Sequence, residues 1–319
     1  MKPSLERLVA LAATTGFRVE TLEKAIRLGD IVADVGRHPL LSPALALKGG
    51  SALNLCFGEP RRLSVDLDFN YVASVDRARM VEDRPEVERA IETIASGQGY
   101  RVQRSHDEHA GRKLFLGYAG AQGTADRIEV DLNFLFRLPL HGLVRASLWQ
   151  PGDLERPAIT IVGLEELSAG KLCALLDRLA PRDLFDVCSL PRIARTVWRT
   201  RRFRRLFVAL ASTLPHPLHS YGQDRLARVT DRSIVRELHP MLMQGERPAA
   251  AELRRTTWDV IGPLLALDDV EREFTDRIQR GELAPEVLFP DDKELAVRLR
   301  QHPALLWKAE NARGRGRPR

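Results

Sequence analysis

The chain has 319 residues, of which 44% are hydrophobic, and a formal net charge of +6. This length allows one large domain or two of ordinary size, and the apolar fraction excludes a disordered chain. The basic balance favours polyanionic partners such as nucleic acids or nucleotides. Three cysteines without a CxxC pair argue against a disulfide framework or a structural zinc site, and they fit a reducing cytoplasm. No uncharged apolar run reaches about 18 residues, so we expect no membrane span.

Helices and strands are mixed in the first half of the sequence. Apolar spacing predicts helices over residues 21–36 and 85–96, and a helix that follows Ser51 as its N-cap. Short apolar runs and apolar–polar alternation predict strands over residues 44–48, 63–69, 100–104, 112–118, 127–136 and 158–162.

From about residue 165 the apolar positions recur with helical periods. The sequence therefore predicts an α/β fold with a mixed sheet in residues 1–164 and a mainly helical lobe in residues 165–308. The polar, Gly- and Pro-rich ending predicts a flexible basic tail over residues 309–319.

Two aspartates, Asp66 and Asp68, alternate with apolar residues in the stretch RLSVDLDF. Since side chains two apart on a strand share a face, the two carboxylates are expected to lie together and to repel. A divalent cation removes that cost, and oxygen ligands favour Mg²⁺ or Mn²⁺. Asp131, on the polar face of its own strand, is a third candidate ligand and a candidate base, with Asp126 and Glu129 close by in sequence.

A glycine turn precedes the two aspartates in the stretch LKGGSALNL. Backbone N–H groups of Gly49, Gly50 and Ser51 can approach an anion there, and a helix N-terminus adds partial positive charge. Lys48 is a candidate phosphate ligand beside them. The same short stretch thus offers a phosphate cradle and a metal platform, which a nucleoside triphosphate needs together.

The order of G-S, fourteen residues, and then D-x-D resembles the signature of polymerase-β-like nucleotidyltransferases. The motif LKGGSALNL followed by RLSVDLDF resembles those of the AbiEii/AbiGii-type nucleotidyltransferase toxins, which include the MenT toxins. The stretches RIEVDLNF and KLCALLDRLAPRDLFDV, and the ending ELAPEVLFPDDKELAVRLRQHPALLWK, resemble later motifs of that family. The resemblance implies a two-lobed enzyme with a polymerase-β-like first lobe, divalent metal and a nucleoside triphosphate substrate.

Residues 171–187 carry the family's later motif. The resemblance implies that Lys171 and Asp186 act in the active site and that Arg182 helps to hold phosphate, and it leaves open whether Asp183 or Asp186 matters more. Without the resemblance, Lys171 reads as a solvated surface lysine, and Arg182 with Asp186 as a capping or salt-bridge pair.

A basic stretch with interleaved aromatics, RTVWRTRRFRR, is typical of nucleic-acid binding, although a solvated basic helix face gives the same pattern. Its candidate RNA-binding residues are Arg195, Arg199, Arg201, Arg202, Arg204 and Arg205. The tail stretch from Arg315 to Pro318 resembles an AT-hook core, which reads A·T-rich minor grooves.

Ser64 lies two residues before Asp66 and is a candidate for the nucleotide site. A phosphate on Ser64 would block the site by charge and bulk, so we hypothesise that it is a modification site for a kinase-like antitoxin, a partner that some relatives have.

These patterns predict a cytoplasmic toxin that transfers a nucleotide from a triphosphate to an RNA acceptor, with the tRNA 3′ end favoured, and that has a cognate antitoxin. Two alternatives remain open. One is nucleotidylation of a protein hydroxyl, and the other is a nucleic-acid-binding regulator whose catalytic site has decayed.

Overall fold

The computed structural model describes residues 3–106 and 110–315. Seven strands form a mixed sheet: β1 Leu45–Lys48, β2 Asp66–Tyr71, β3 Arg101–Arg104, β4 Gly111–Ala119, β5 Ala125–Asn133, β6 Leu143–Ser147 and β7 Ala158–Val162. The α-helices are α1 Leu5–Thr15, α2 Val19–Arg37, α3 Leu41–Ala44, α4 Gly49–Leu55, α5 Arg77–Gly97, α6 Leu164–Arg178, α7 Pro181–Ile193, α8 Arg201–Ala211, α9 Asp231–Glu237, α10 Ala250–Leu265, α11 Asp269–Gln279, α12 Lys293–Gln301 and α13 Pro303–Arg315.

The chain divides into two compact units. The first contains Met1–Arg137, Gly142–Gly163 and a returning segment, His239–Arg247, and it holds the whole sheet. The second contains Leu138–His141, Leu164–Leu238 and Pro248–Arg319, and its described secondary structure is helical. The predicted fold class, an α/β lobe with a mixed sheet and a mainly helical C-terminal lobe, is confirmed.

The sheet has the strand order β3-β4-β5-β2-β1-β7-β6. Strand β2 runs antiparallel to β1 and parallel to β5, so the sheet is mixed at its centre. Alternation gives it one apolar face, because Leu67 and Val130 are fully buried while their neighbours along each strand are partly exposed. Helices α2 and α5 pack against the sheet. The polar face carries the residues that the sequence singled out.

The second unit packs its helices around a separate apolar core. The amphipathic helix α8 buries Phe203, Leu206 and Phe207 and packs against α6 and α11. Helices α7 and α10 pack against each other, and α7 also contacts α6. Each unit therefore has its own core, as expected of a domain.

Several predicted elements are shifted or were missed. Helix α4 begins at Gly49, so Ser51 lies inside it and is not its N-cap. The strand predicted over residues 63–69 begins only at Asp66, because Leu63 donates its backbone N–H to the Met241 carbonyl of the returning segment. Helix α1 and the edge strand β6 were not predicted.

The predicted tail is wrong over residues 309–315. Helix α13 continues to Arg315, since Ala309 is buried and the Arg313 side chain donates to the Gly281 carbonyl. Those contacts hold a polar, glycine-containing stretch in helical form. The AT-hook-like stretch from Arg315 to Pro318 extends beyond the described residues, so that prediction is untested.

Helix α2 approaches strand β7 closely at Gly36. A Cβ at this position would lie 2.6 Å from the Ala158 carbonyl oxygen, which belongs to the backbone and cannot rotate away. We expect Gly36→Ala to destabilise the first unit by about 1–3 kcal/mol through overpacking. The matched control is Gly97→Ala at the end of α5, where a Cβ meets nothing within 4 Å. Urea denaturation of both variants measures the difference, and equal midpoints would contradict the packing argument.

Candidate active site in the first unit

The centre of the polar face is a row of four charged residues on adjacent strands. Pairing in register places Lys48 opposite Asp68, Asp68 opposite Asp131, and Asp131 opposite Lys113. Paired residues on neighbouring strands point to the same face, so two carboxylates lie side by side between two lysines. The row alternates in charge as positive, negative, negative, positive, which limits the repulsion between the central pair.

Asp131 shows the electrostatic consequence of this arrangement. Its pKa is raised, first by burial and then by the charges of Asp68 and Glu129, while Lys48 and Lys113 act in the opposite direction. The Lys113 ammonium pairs with Glu129 and lies 4.0 Å from the Asp131 carboxylate. Asp131 is therefore a carboxylate whose charged form is disfavoured, as is typical of functional sites.

Gly49 brings the glycine turn directly against the carboxylate row. Its φ of +67° lies in the left-handed region, and a Cβ there would lie 2.2 Å from Asp68 Oδ2. Glycine is thus required by the backbone conformation and, separately, by the approach of the carboxylate. The phosphate-cradle prediction and the metal-platform prediction refer to one place in the first unit.

Ser51 and Arg62 hold the turn from behind. Ser51 is fully buried, and its hydroxyl donates to the backbone carbonyl of Asp66, so it ties α4 to the start of β2. The Arg62 side chain is buried and donates to the Leu63 carbonyl, and Arg62 Nη2 lies 3.0 Å from where a Cβ on Gly50 would be. The Ser51 side chain is therefore a positioning group here, and its backbone N–H remains the candidate phosphate donor.

Asp66 and Ser64 lie beside this row without being part of it. Asp66 pairs in register with Glu129, two residues along the strand from the pair formed by Asp68 and Asp131. Ser64 is 6% exposed, and its hydroxyl lies 3.0 Å from the Cβ position of Gly50. Phosphorylation of Ser64, which stays a hypothesis, would require this segment to open.

The donor chemistry of the row suits a hard divalent cation, because both central groups are carboxylates. Within the described ranges 3–106 and 110–315, no three His, Cys, Asp or Glu side chains are arranged as a ready metal site. The adjacent pair, Asp68 with Asp131, therefore fits a cation that takes its remaining oxygens from substrate and water, as Mg²⁺ commonly does.

Lys171, Asp183 and Asp186 form a buried cluster in the second unit. The Lys171 ammonium lies 3.0 Å from Asp183 Oδ1 and 2.8 Å from Asp186 Oδ2, and all three side chains are almost completely buried. Arg178, on the same helix as Lys171, also binds Asp183, and the two cations hold the pKa of Asp183 below its ordinary value despite burial.

Lys171 is therefore no solvated surface lysine, and it binds both aspartates that the sequence could not rank. Arg182 lies next to Asp183 in sequence at the start of α7. The catalytic roles predicted for Lys171 and Asp186, and the phosphate-binding role of Arg182, stay predictions.

The basic stretch has a different structure from the one that its sequence suggested. The Arg204 guanidinium binds Glu271 and the carbonyls of Pro263 and Ala266, and Arg205 donates to the Leu288 carbonyl. Phe203 is fully buried and packs on Trp198 with ring centroids 5.2 Å apart. Arg204 and Arg205 therefore stabilise the fold through contacts with other helices and loops. Their prediction as RNA-binding residues is corrected accordingly.

The other four candidate arginines of this stretch are exposed. Arg202 nevertheless pairs with Glu165 and Asp292. The remaining exposed members are Arg195, Arg199 and Arg201.

The sequence matches the family described as "Nucleotidyl transferase AbiEii toxin, Type IV TA system" over residues 32–288. Among curated proteins no sequence matches significantly. Within the described residues no helix combines the length and the apolar content needed to cross a membrane.

Among solved structures that share the fold is MenT4, a nucleotidyltransferase toxin from Mycobacterium tuberculosis H37Rv. It aligns with a TM-score of 0.60 at 18% identity, and the alignment covers 92% of this chain and 98% of that chain. A Vibrio cholerae cyclic AMP-GMP synthase, DncV, aligns over 94% of this chain and 82% of its own at 10% identity, but with a TM-score of 0.20, which does not indicate a common fold.

The contact between Gly49 and Asp68 can be tested by a double-mutant cycle. We expect Gly49→Ala to destabilise the first unit by about 2–4 kcal/mol, because backbone strain and overpacking add. Asp68→Ala should recover part of that loss by removing the carboxylate. Gly58→Ala is the control, since Gly58 has a φ of +101° but a Cβ there meets nothing within 4 Å. Denaturation of the four chains gives the coupling energy, and strictly additive effects would refute the contact.

The buried cluster makes a second prediction. Lys171→Met should destabilise the second unit by about 3–5 kcal/mol, because it leaves two aspartates buried without their shared cation. Arg178→Met should cost about 1 kcal/mol or less, since its side chain is 56% exposed. Chemical denaturation of the two variants checks the ranking, and an equal loss in both would show that Lys171 is not the cation that the cluster needs.

The family match covers most of the chain, and the solved toxin MenT4 shares its fold. The first unit also places paired carboxylates beside a glycine turn. This chain is therefore a member of the AbiEii nucleotidyltransferase toxin family, a toxin of a type IV toxin–antitoxin system, which implies an antitoxin as its partner.

Proposed function

We propose that this toxin transfers a nucleoside monophosphate from a nucleoside triphosphate to a hydroxyl of an RNA, and that the acceptor is the 3′ end of tRNA. The observation that carries the proposal is the row in which Asp68 lies beside Asp131 and against Gly49. A carboxylate pair with a glycine turn against one of its members offers both a cation ligand and an anion cradle, which a nucleoside triphosphate needs together. Such a reaction on tRNA would block aminoacylation and place the toxin in the cytoplasm.

The triphosphate end of the substrate is assigned to the glycine turn. Gly49 and Gly50 have no side chains between their backbone and a ligand, so N–H groups of residues 49–51 can donate to phosphate oxygens. Lys48 is partly exposed and adds a cation at the same edge. These groups would hold the β- and γ-phosphates and orient the α-phosphate towards the row.

Asp68 and Asp131, with Asp66 as a further candidate ligand, would hold Mg²⁺ or Mn²⁺ together with oxygens of the triphosphate. The cation would supply charge stabilisation at the transferred phosphoryl group and at the departing pyrophosphate. The carboxylates themselves fix the position where these oxygens meet, because each is anchored on a central strand of the sheet.

Asp131 is also assigned as the general base that accepts the proton of the acceptor hydroxyl. The acceptor hydroxyl oxygen attacks the α-phosphorus, the bond to pyrophosphate breaks, and the hydroxyl proton passes to a carboxylate. Burial and the neighbouring carboxylate raise the pKa of Asp131 when no cation is bound, and a cation beside it would favour the charged form that accepts a proton. Asp131 is the better candidate than Glu129, because Glu129 is paired with Lys113.

RNA is favoured as the acceptor by charge. The net charge of +6 attracts polyanions, and a toxin that acts on tRNA would stop growth by halting translation. Nucleotidylation of a protein hydroxyl uses the same site and is the second candidate. A decayed regulator is disfavoured, because the residues of the row and the glycine turn retain a consistent geometry.

The test is a labelling reaction with the pure chain, Mg²⁺ or Mn²⁺, each α-labelled nucleoside triphosphate, and total tRNA. We expect label in a nuclease-sensitive, protease-resistant product, and we expect Asp66→Ala and Asp68→Asn each to reduce it at least about 10³-fold, since phosphoryl transfer depends on positioning and charge stabilisation. Asp153→Asn, a change of an 84%-exposed carboxylate in the same unit, is the control and should label like the wild type.

Three other outcomes would contradict the proposal. Label in a protease-sensitive product would show that the acceptor is a protein. Labelling that survives in both site variants would show that these carboxylates are not needed for the reaction. Labelling that continues in excess chelator would show that the reaction needs no divalent metal.

A further inference from the structure

The polar face of the sheet extends beyond the carboxylate row to the edge strand β3, and there it forms a concavity of about 550 Å³. Its lining includes Arg101 and Gln103 of β3, Phe115 and Gly117 of β4, and Asp126 and Arg127 of β5. We call this surface the edge concavity. It lies entirely within the first unit, and none of the roles predicted from the sequence falls on it.

Register fixes the layout of the edge concavity. Arg101 pairs with Gly117 and Gly117 pairs with Arg127, so a residue without a side chain lies between two arginines. Strands are about 4.8 Å apart, so the two arginine backbones are separated by about 10 Å, with a depression between them. Gly117 is what leaves this depression open.

The cations at this surface are not neutralised by their surroundings. Arg101 and Arg127 are exposed, and neither has a carboxylate partner within the part of the chain that the structure describes. Asp126 also lines the concavity, but the Lys24 ammonium lies 2.8 Å from its carboxylate and the Tyr118 hydroxyl donates to it. The edge concavity therefore has a net positive charge, which is complementary to phosphate.

The Arg127 guanidinium is also placed so that it can stack on a nucleobase. The central carbon of its guanidinium lies over the Phe115 ring, 4.8 Å from the centroid, in a cation–π contact. A guanidinium that lies over a ring can stack its outer face on an unpaired base while its N–H groups donate to phosphate. Duplexes do not expose base faces, so this arrangement fits a single strand.

The edge concavity lies on the same face of the sheet as the candidate active site. Arg127 and Asp131 are four residues apart on β5 and so share a face, at a separation of about 13 Å. Phe115 and Glu129 are paired between them. A short single-stranded end could thus be held at the arginines while its terminal hydroxyl reaches the row.

From these contacts we propose that the edge concavity binds the single-stranded 3′ segment of the acceptor RNA, with Arg127 stacked on Phe115 as a base platform and Arg101 as a phosphate contact. This inference rests on the proposed function, because it assigns the acceptor of that reaction to a surface.

The test measures binding of a fluorescent 12-nucleotide single-stranded RNA with a free 3′-hydroxyl to the full chain by anisotropy at several salt concentrations. Arg127→Ala should raise Kd about tenfold, as expected for loss of one stacked base. Arg101→Ala should lower the slope of log K against log salt by about 0.7, the value for one single-strand phosphate contact. In the transfer reaction, KM for RNA should rise in both variants while KM for the triphosphate stays within twofold.

Gly117→Val provides a variant that removes no charge. A Cβ at this position meets the Arg101 carbonyl oxygen at 3.6 Å, an ordinary contact, so the side chain should fit and fill the depression. It should weaken RNA binding at least about fivefold. The control is Arg145→Ala, an exposed arginine on the opposite edge strand β6, which should bind RNA like the wild type.

Outcomes separate this inference from the proposed function. If the wild type labels RNA but Arg127→Ala and Gly117→Val bind RNA within twofold of it, the edge concavity is wrong and the proposed function stands. If the wild type labels only protein, both are wrong. Should a variant fail to fold, photocrosslinking of 4-thiouridine RNA to the wild type decides, since crosslinks must map to residues 101–104, 115–119 or 125–127 and crosslinks confined elsewhere overturn the inference.

Discussion

The contact between Asp68 and Gly49 is the constraint on which the candidate site depends. Two strands that run antiparallel, β1 and β2, bring the residue after β1 against a side chain of β2. Only a residue with no Cβ and with access to positive φ can occupy that place. The approach joins two features that are separate in sequence, a backbone turn able to bind an anion and a carboxylate able to bind a cation, and it keeps them at fixed separation.

The rest of the first unit reinforces this contact. The buried Ser51 hydroxyl binds the Asp66 carbonyl, and the buried Arg62 fills the space behind Gly50. The segment His239–Arg247 returns from a distant part of the chain and pairs with residues 62 and 63, which sets where β2 can begin. Catalytic geometry of this kind is best supported by groups whose own positions are fixed by packing.

Buried charge is handled differently in the two units. On the sheet, two carboxylates share a partly exposed position between two lysines, and the pKa of Asp131 is raised because burial and like charge are incompletely offset. In the second unit, Asp183 is deeply buried but bound by Lys171 and Arg178, and its pKa is lowered. Charge that is incompletely offset is typical of functional sites, whereas the charge of Asp183 is offset by two cations.

The fold class and most of the strands could be predicted from sequence alone, and so could the candidate residues Gly49, Gly50, Asp66, Asp68 and Asp131. Alternation and glycine–serine turns are local signals, so they can be read without knowing what packs where. The sequence also indicated the family, because the G-S and D-x-D elements of its signature lie close together in the chain. It misjudged residues 309–315, Arg204 and Arg205, because buried partners from distant residues hold them.

Which charged side chains meet depends on the tertiary fold. Strand order and register are set by packing between distant segments, so the row from Lys48 to Lys113 and the platform of Phe115 and Arg127 cannot be read along the chain. The same holds for Lys171, whose pattern fits a surface lysine until helices α6 and α7 bury it against two aspartates. Local patterns specify elements, whereas the contacts that carry chemistry arise from residues far apart in sequence.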